Sequence, residues 1–183
     1  MKIHLFGASG SGVTTLGQRL ADEFSCPYFD TDDYFWHKTS PPFRERRLPA
    51  EGNTLLTGDL QSHPNWLFGG SVINWGEQWL TAFDLAIFLW TPPAIRIMRL
   101  QKRELERYGT IIFENKERKR QYEAFIAWAS DYDFGKADTG RTKMAHGMWM
   151  EKLVCPLLRM EDDATVEERL KTSLHFIRTQ YVN

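Results

Sequence analysis

The residues best placed to do chemistry stand near the amino terminus, in Gly7-Ala8-Ser9-Gly10-Ser11-Gly12-Val13-Thr14-Thr15, directly after the apolar run Ile3-His4-Leu5-Phe6. A strand, a glycine-rich loop and a helix in that order follow the pattern G-x-x-x-x-G-K-[ST]. Backbone N–H groups in such a loop wrap phosphate oxygens, and the helix start adds about half a unit of positive charge. Gly7, Gly12 and Thr14 fit the pattern, but Val13 stands at the lysine position. The stretch predicts a nucleotide phosphate cradle over residues 7–15 without the side chain that ordinarily reaches the outer phosphates. Arg103, Arg141 and Lys38 are the candidates to supply that charge. Without them the loop would bind nucleotide and turn it over poorly.

A second group is acidic. Asp30-Thr31-Asp32-Asp33 follows the short strand Pro27-Tyr28-Phe29, at a strand end where open α/β sheets bind ligands. The Thr14 hydroxyl and Asp30 suit Mg²⁺, a hard cation that takes oxygen ligands and keeps waters. Asp32 suits an acceptor hydroxyl or phosphate and could accept a proton from a hydroxyl, with Asp33 the fallback for either role. A turn that caps the next element is the other reading of three acids in four positions.

The basic residues form three groups. Arg96, Arg99, Arg103 and Arg107, at spacings of three, four and four, fall on one face of a helix over 92–107. Like charges at these spacings cost an isolated helix a few tenths of a kcal/mol per pair, which an anionic partner would relieve. A solvated basic face is the alternative. Lys38, Arg44, Arg46 and Arg47 lie beside Trp36 and Phe43, a composition suited to a nucleotide, another aromatic anion or a small carboxylate acid. Arg141 and Lys143 sit in or beside a segment rich in glycine and charge, from which they could reach a ligand. The paired Gly69-Gly70 before Ser71 would let something approach the backbone closely.

These residues need a frame to position them. Leu16, Leu20 and Phe24 mark a helix after the loop, and a helix is expected over Pro49–Gln61 after the loop at 39–48. Strands are expected at 66–68, 84–90 and 156–160, with partial helix over 72–83. Thr91 is a plausible N-cap. Aromatic residues between 122 and 132 and the segment 146–154 read as helices, with His146 structural. Thr165 and Glu168 have capping-box spacing before a final helix. Strands alternating with helices give an α/β fold, a five-stranded parallel sheet between two helical layers.

With 183 residues, 42% hydrophobic and 14% aromatic, the chain should build one domain over 1–183. A net charge of −1 gives no global reason to expect a nucleic-acid or membrane partner. Cys26 and Cys155 lie far apart, as suits reduced thiols in a cytoplasmic protein. Nothing at the amino terminus has the form of a signal peptide, and the longest apolar run, 85–90, is far short of the roughly 20 residues that cross a bilayer.

Most of the chain resembles the small P-loop kinases, the group of adenylate kinase, shikimate kinase and gluconate kinase. The carriers are the loop at 7–15, Asp30-Thr31-Asp32, Gly69-Gly70, the arginine helix and the final strand-to-helix turn. The resemblance implies a three-layer αβα P-loop NTPase fold with a helical lid, at about 107–122, that closes over nucleotide. It implies ATP and Mg²⁺ as cofactors, Asp30 and Asp32 at magnesium and acceptor, and Gly69 and Gly70 against the acceptor. Arg99 and Arg103 are similar to arginines that meet the transferred phosphoryl group, with Arg103 the principal one. Arg141 would join the nucleotide. Asp32, Asp33, Lys38, Arg44, Arg47, Gly69, Gly70 and Ser71 would line the acceptor. No apolar run ending in aspartate occurs at the third strand, so Asp30 must cover that acid's role.

The implied activity is ATP-dependent phosphoryl transfer by a monomer or homodimer to a small anionic acceptor. A nucleoside monophosphate, as in adenylate kinase-like enzymes, is the leading acceptor, and a shikimate- or gluconate-like acid is the alternative. Val13 favours another alternative, a nucleotide-binding switch with little catalysis.

Overall fold

Every residue of the apolar run Ile3-His4-Leu5-Phe6 is buried, because its strand lies at the middle of a sheet covered on both faces. The computed structural model describes residues 1–181. β1 (Lys2–Gly7), β2 (Tyr28–Asp30), β3 (Trp66–Gly69), β4 (Leu85–Trp90) and β5 (Leu157–Glu161) are parallel, in the order β2-β3-β1-β4-β5. This is the five-stranded parallel sheet expected from the alternation of elements.

Successive side chains point to opposite faces, so each strand feeds two cores. Ile3, Leu5, Leu67, Leu85, Ile87 and Leu89 pack with Leu16 and Leu20 of α1 (Val13–Phe24) and with Leu170 and Ile177 of α8 (Val166–Tyr181). On the other face Phe6, Phe68 and Phe88 pack with Leu56 and Leu60 of α3 (Pro49–Gln61) and with Trp149 of α7 (Lys143–Met150). Four further helices follow the carboxyl ends of β2 and β4. α2 (Thr31–Phe35) follows β2 directly, and α4 (Pro93–Tyr108) follows β4 and packs with α5 (Ile111–Glu114) and α6 (Lys116–Ser130).

β1 pairs with β3 on one side and β4 on the other, so the chain's course across the sheet reverses there. The loops leaving β1 and β3 diverge at that edge and open the crevice in which such sheets bind ligands.

Two histidines belong to the frame. His4 lies against Phe83, with ring centroids 4.3 Å apart, and its Nε2 is 2.7 Å from the Gly70 carbonyl. His146 lies 2.7 Å from the Tyr132 hydroxyl and 3.1 Å from that of Ser71. Neither ring is exposed, and burial pushes both imidazoles down to about 3.

Several boundaries differ from expectation for local reasons. α7 starts at Lys143 rather than 146, because the Thr142 hydroxyl accepts from the Ala145 N–H, and it ends at Met150 rather than 154. Thr91 caps nothing: Pro92 holds the N-cap position of α4, and the buried Thr91 hydroxyl accepts from Arg169. Between 72 and 83 only the 3-10 turn Glu77–Leu80 forms. α5 forms over Ile111–Glu114, and α6 begins well before 122, where the Asn115 side chain accepts from Glu117 and Arg118 N–H groups. At α8 the Thr165 N–H donates to Glu168 at 2.8 Å and the Glu168 N–H donates back to Thr165 at 3.3 Å, a capping box. No helix among the described residues is long and apolar enough to cross a membrane.

Candidate active site

The glycine-rich loop passes from β1 to α1 in a form that its glycines make possible. Gly10 (φ +81°) and Gly12 (φ +94°) adopt backbone angles that suit glycine. A Cβ on Gly10 would press on the Arg96 carbonyl at 2.8 Å, whereas one on Gly12 would meet nothing within 4 Å. Gly10 is therefore the seat of α4 on the loop, and Gly12 faces open space at the start of α1. The Ser11 hydroxyl donates to the Ala8 carbonyl at 2.7 Å and closes the loop on itself. Val13 is half-buried and packs against the core beneath the sheet, so it offers the loop no polar group. Thr14 and Thr15 are exposed.

The outward carbonyls of the loop meet arginines. Ser9 O accepts from Arg96 at 3.5 Å, Gly10 O from Arg99 at 3.4 Å and Ser11 O from Arg169 at 2.7 Å. Arg96 also donates to the Thr91 and Ala129 carbonyls and pairs with Asp133. Arg169 also donates to the Trp90 carbonyl, the Thr91 hydroxyl and Asp162.

Asp30 accounts for the acidic cluster's geometry. Its carboxylate accepts from the Asp32 N–H, the Thr14 hydroxyl and the Tyr28 hydroxyl, each at 3.0 Å. The first of these bonds caps α2. Capping, one of the two readings of this acidic run, is thus real for Asp30, and the same carboxylate also accepts from Thr14 in the first turn after the glycine-rich loop. Asp32 stands one step along α2, open to water at the mouth of the crevice but enclosed on its other sides. Desolvation and then the Asp30 charge raise its carboxyl, against the pull of Arg141 and Arg103. Asp33 is raised for the same two reasons and answers to Lys38 instead.

The basic residues divide by position. Arg96, one of four arginines expected to share a face, is completely buried, while Arg99, Arg103 and Arg107 are exposed. Arg103 lies 6.0 Å over Phe125, and Arg141 lies 5.5 Å over Phe35. Enclosure lowers both guanidiniums from their ordinary range, and the Asp32 charge opposes that shift. Arg46 shares the Phe35 ring with Arg141, also at 5.5 Å, and sits in an antiparallel bridge with Trp36. Arg44 donates to Gln121 at 3.1 Å, so the segment after α2 touches the expected lid. Arg47 turns inward, pairs with Glu51 at 2.6 Å and lines a recess of about 210 Å³ with Tyr34, Phe35, Leu48, Ile73 and Trp75.

The space over the paired glycines is taken by the chain itself. A Cβ on Gly69 would overlap the Tyr28 hydroxyl, and one on Gly70 (φ +102°) would overlap Thr31. What approaches this backbone closely is β2 and the start of α2. Ser71 is buried and its hydroxyl serves His146.

Sequence reasoning missed Arg169 and named Arg46 only as one of the basic group with Lys38, Arg44 and Arg47. Arg169 shares the buried stripe of α8 with Ser173 and Ile177 at four-residue spacing, and a charge on such a stripe is a readable signal. Arg46 gave no signal beyond its charge run.

The fold is that of the P-loop kinases, with Val13 at the lysine position of the glycine-rich loop pattern. The chain is 38% identical over 175 residues to the "Uncharacterized protein YqaC" of Bacillus subtilis (strain 168), covering 96% of each chain, and it belongs to that protein's family. No family model matches it. Among solved structures it is similar to shikimate kinase from Acinetobacter baumannii in complex with shikimate, with a TM-score of 0.58 and 16% identity over 100% of this chain and 95% of that one. It is also similar to deoxyadenosine kinase from M. mycoides with bound dATP, with a TM-score of 0.57 and 12% identity over 97% of this chain and 100% of that one. At these identities the likeness is one of fold.

Proposed function

We propose that the chain is an ATP-dependent phosphotransferase whose acceptor is a small anion, with a nucleoside monophosphate the leading candidate. The observation that carries this is the meeting of Thr14, Asp30, Asp32, Arg103 and Arg141 at one mouth beside a glycine cradle. Phosphoryl transfer needs in-line positioning and charge neutralisation more than covalent help from the protein.

The donor's phosphates would lie over the N–H groups of residues 8–14. Thr14 and Asp30 present oxygens 3.0 Å apart, a set that fits Mg²⁺, which takes few protein ligands and keeps water and phosphate for the rest. Bound there, Mg²⁺ would neutralise phosphate charge. Asp32 would orient the acceptor, and Arg103 and Arg141 would hold its charge and that of the moving phosphoryl group. An acceptor oxygen then bonds to the γ-phosphorus as the bond to the bridging oxygen breaks, leaving ADP. A phosphate acceptor needs no base, whereas a hydroxyl acceptor would lose its proton to Asp32.

The aromatic recess beside Phe35 favours an acceptor with a planar ring over a purely polyol acid. Residues 107–122 would act as the lid that excludes water, since Arg44 already reaches Gln121 across the mouth. Val13 favours a second reading, a nucleotide-dependent switch with little turnover. Mg-ATP with nucleoside monophosphates, shikimate or gluconate, followed by ADP formation, tests the choice. Acceptor-dependent ADP is expected, and tight ATP binding without it for any acceptor would favour the switch.

A further inference from the structure

We propose that Arg99 stands in for the missing loop lysine at the outer phosphates, on a loop whose carbonyls Arg96 and Arg169 hold from behind. This rests on the nucleotide reading of residues 7–15. A loop that turns its N–H groups toward an anion turns carbonyls the other way, and those carbonyls need donors. Here three consecutive carbonyls, those of Ser9, Gly10 and Ser11, each accept from a different arginine.

Two of the three arginines are committed. Arg96 is 0% exposed and binds Thr91, Ser9, Ala129 and Asp133, and Arg169 is 4% exposed and binds Ser11, Trp90, Thr91 and Asp162. Each has a carboxylate partner, and turning either toward a ligand would strand that carboxylate and several carbonyls. Arg99 is different. It is exposed, its guanidinium makes a long bond to Gly10 O, and among the described residues it has no carboxylate partner. Of the other cations near the mouth, Lys143 pairs with Glu161 at 3.1 Å, the Lys38 charge acts on Asp33, and the charges of Arg103 and Arg141 act on Asp32.

Position agrees with availability. Gly10 at φ +81° lets α4 seat on the loop, with the Arg96 carbonyl and the Leu100 side chain against it. Arg99 lies in that same turn of α4, so its root is fixed beside the loop while its guanidinium can exchange one carbonyl for phosphate oxygens. A planar guanidinium can bind such oxygens at two points. The lysine's work is thereby divided: Arg96 and Arg169 position the loop, and Arg99 supplies the charge.

Calorimetric titration with Mg-ATP and with Mg-ADP tests this. Arg99→Ala should weaken ATP about tenfold or more and change ADP by less than about threefold, because the lost contact is to the outermost phosphate. Adding Val13→Lys to Arg99→Ala should restore ATP affinity. Arg169→Gln, kept folded as judged by circular dichroism, should weaken both nucleotides alike and speed amide exchange over 8–12. Unchanged ATP affinity in Arg99→Ala, equal loss of ATP and ADP, or failure of Val13→Lys to rescue would overturn the assignment. Wild-type protein that binds neither nucleotide would instead overturn the reading of the loop, and the assignment with it.

Discussion

Arg96 and Arg103 lie seven positions apart on the same helix and are used in opposite ways. Arg96 is fully buried, paired with Asp133 and bonded to three carbonyls, so it is part of the frame that holds the loop and the end of α6. Arg103 is open to water, and the charges that act on it include Asp32 across the mouth and Arg107 on its own helix. The contrast extends to the regions they serve. Arg96 and Arg169, which hold carbonyls of the glycine-rich loop, are spent on the fold, whereas the exposed Arg99 and Arg103 and the half-buried Arg141 retain capacity for an anion. Residue type alone does not separate the two uses; the supply of internal acceptors does.

The sharpest way to break this comparison is to remove Arg96. Arg96→Ala leaves Asp133 unpaired in a nearly closed site and should cost about 3–5 kcal/mol, lowering Tm by on the order of 10 °C. Thermal melts measure it, and a change within about 1 °C would place Arg96 with the binding residues. Arg103→Ala should do the reverse, keeping Tm within about 2 °C while acceptor-dependent turnover falls about 100-fold. Steady-state ADP formation reads that outcome.

Protonation sharpens the same division. His4 and His146, held neutral with pKa near 3, take up protons on unfolding below pH 6.5. Their stability is fully present above pH 6.5 and is lost as pH falls toward 3, about 2 kcal/mol for each by pH 5. Urea unfolding of His4→Phe between pH 7 and 5 should show a shallower loss than wild type. Asp32 has the opposite sign, because its carboxyl is raised in the folded protein. Its cost is absent below the ordinary carboxylate range and grows as pH rises through the raised value. Asp32→Asn should therefore raise Tm slightly at pH 7 and leave it unchanged near pH 4, while impairing turnover. A lower Tm at pH 7 would make Asp32 a frame residue.

Much of the frame was legible because local chemistry set it. Pro49 opens a helix that runs to Gln61, the apolar run at 85–90 is a central strand, and Thr165 with Glu168 closes a capping box. The meeting of Asp30 with Thr14 follows once β1 and β2 are parallel and their carboxyl ends share an edge. What stayed hidden depends on contacts distant in sequence. Arg169 reaches Ser11 across 158 positions, and although a charge on the buried stripe of α8 is a signal, nothing near it names its partner. Gly69 and Gly70 signalled a close approach, but not that Tyr28 and Thr31 make it. Thr91 had the sequence of a cap and was taken instead by Arg169.

The central claim is that residues 7–15 hold nucleotide phosphates, and one titration tests it most directly. Calorimetry of the wild-type protein and of Gly12→Val with Mg-ATP compares a loop at φ +94° facing open space with one carrying a side chain there. Saturable one-site binding by wild type, lost in a folded Gly12→Val, is the expected result. Equal affinity in the two proteins would contradict it.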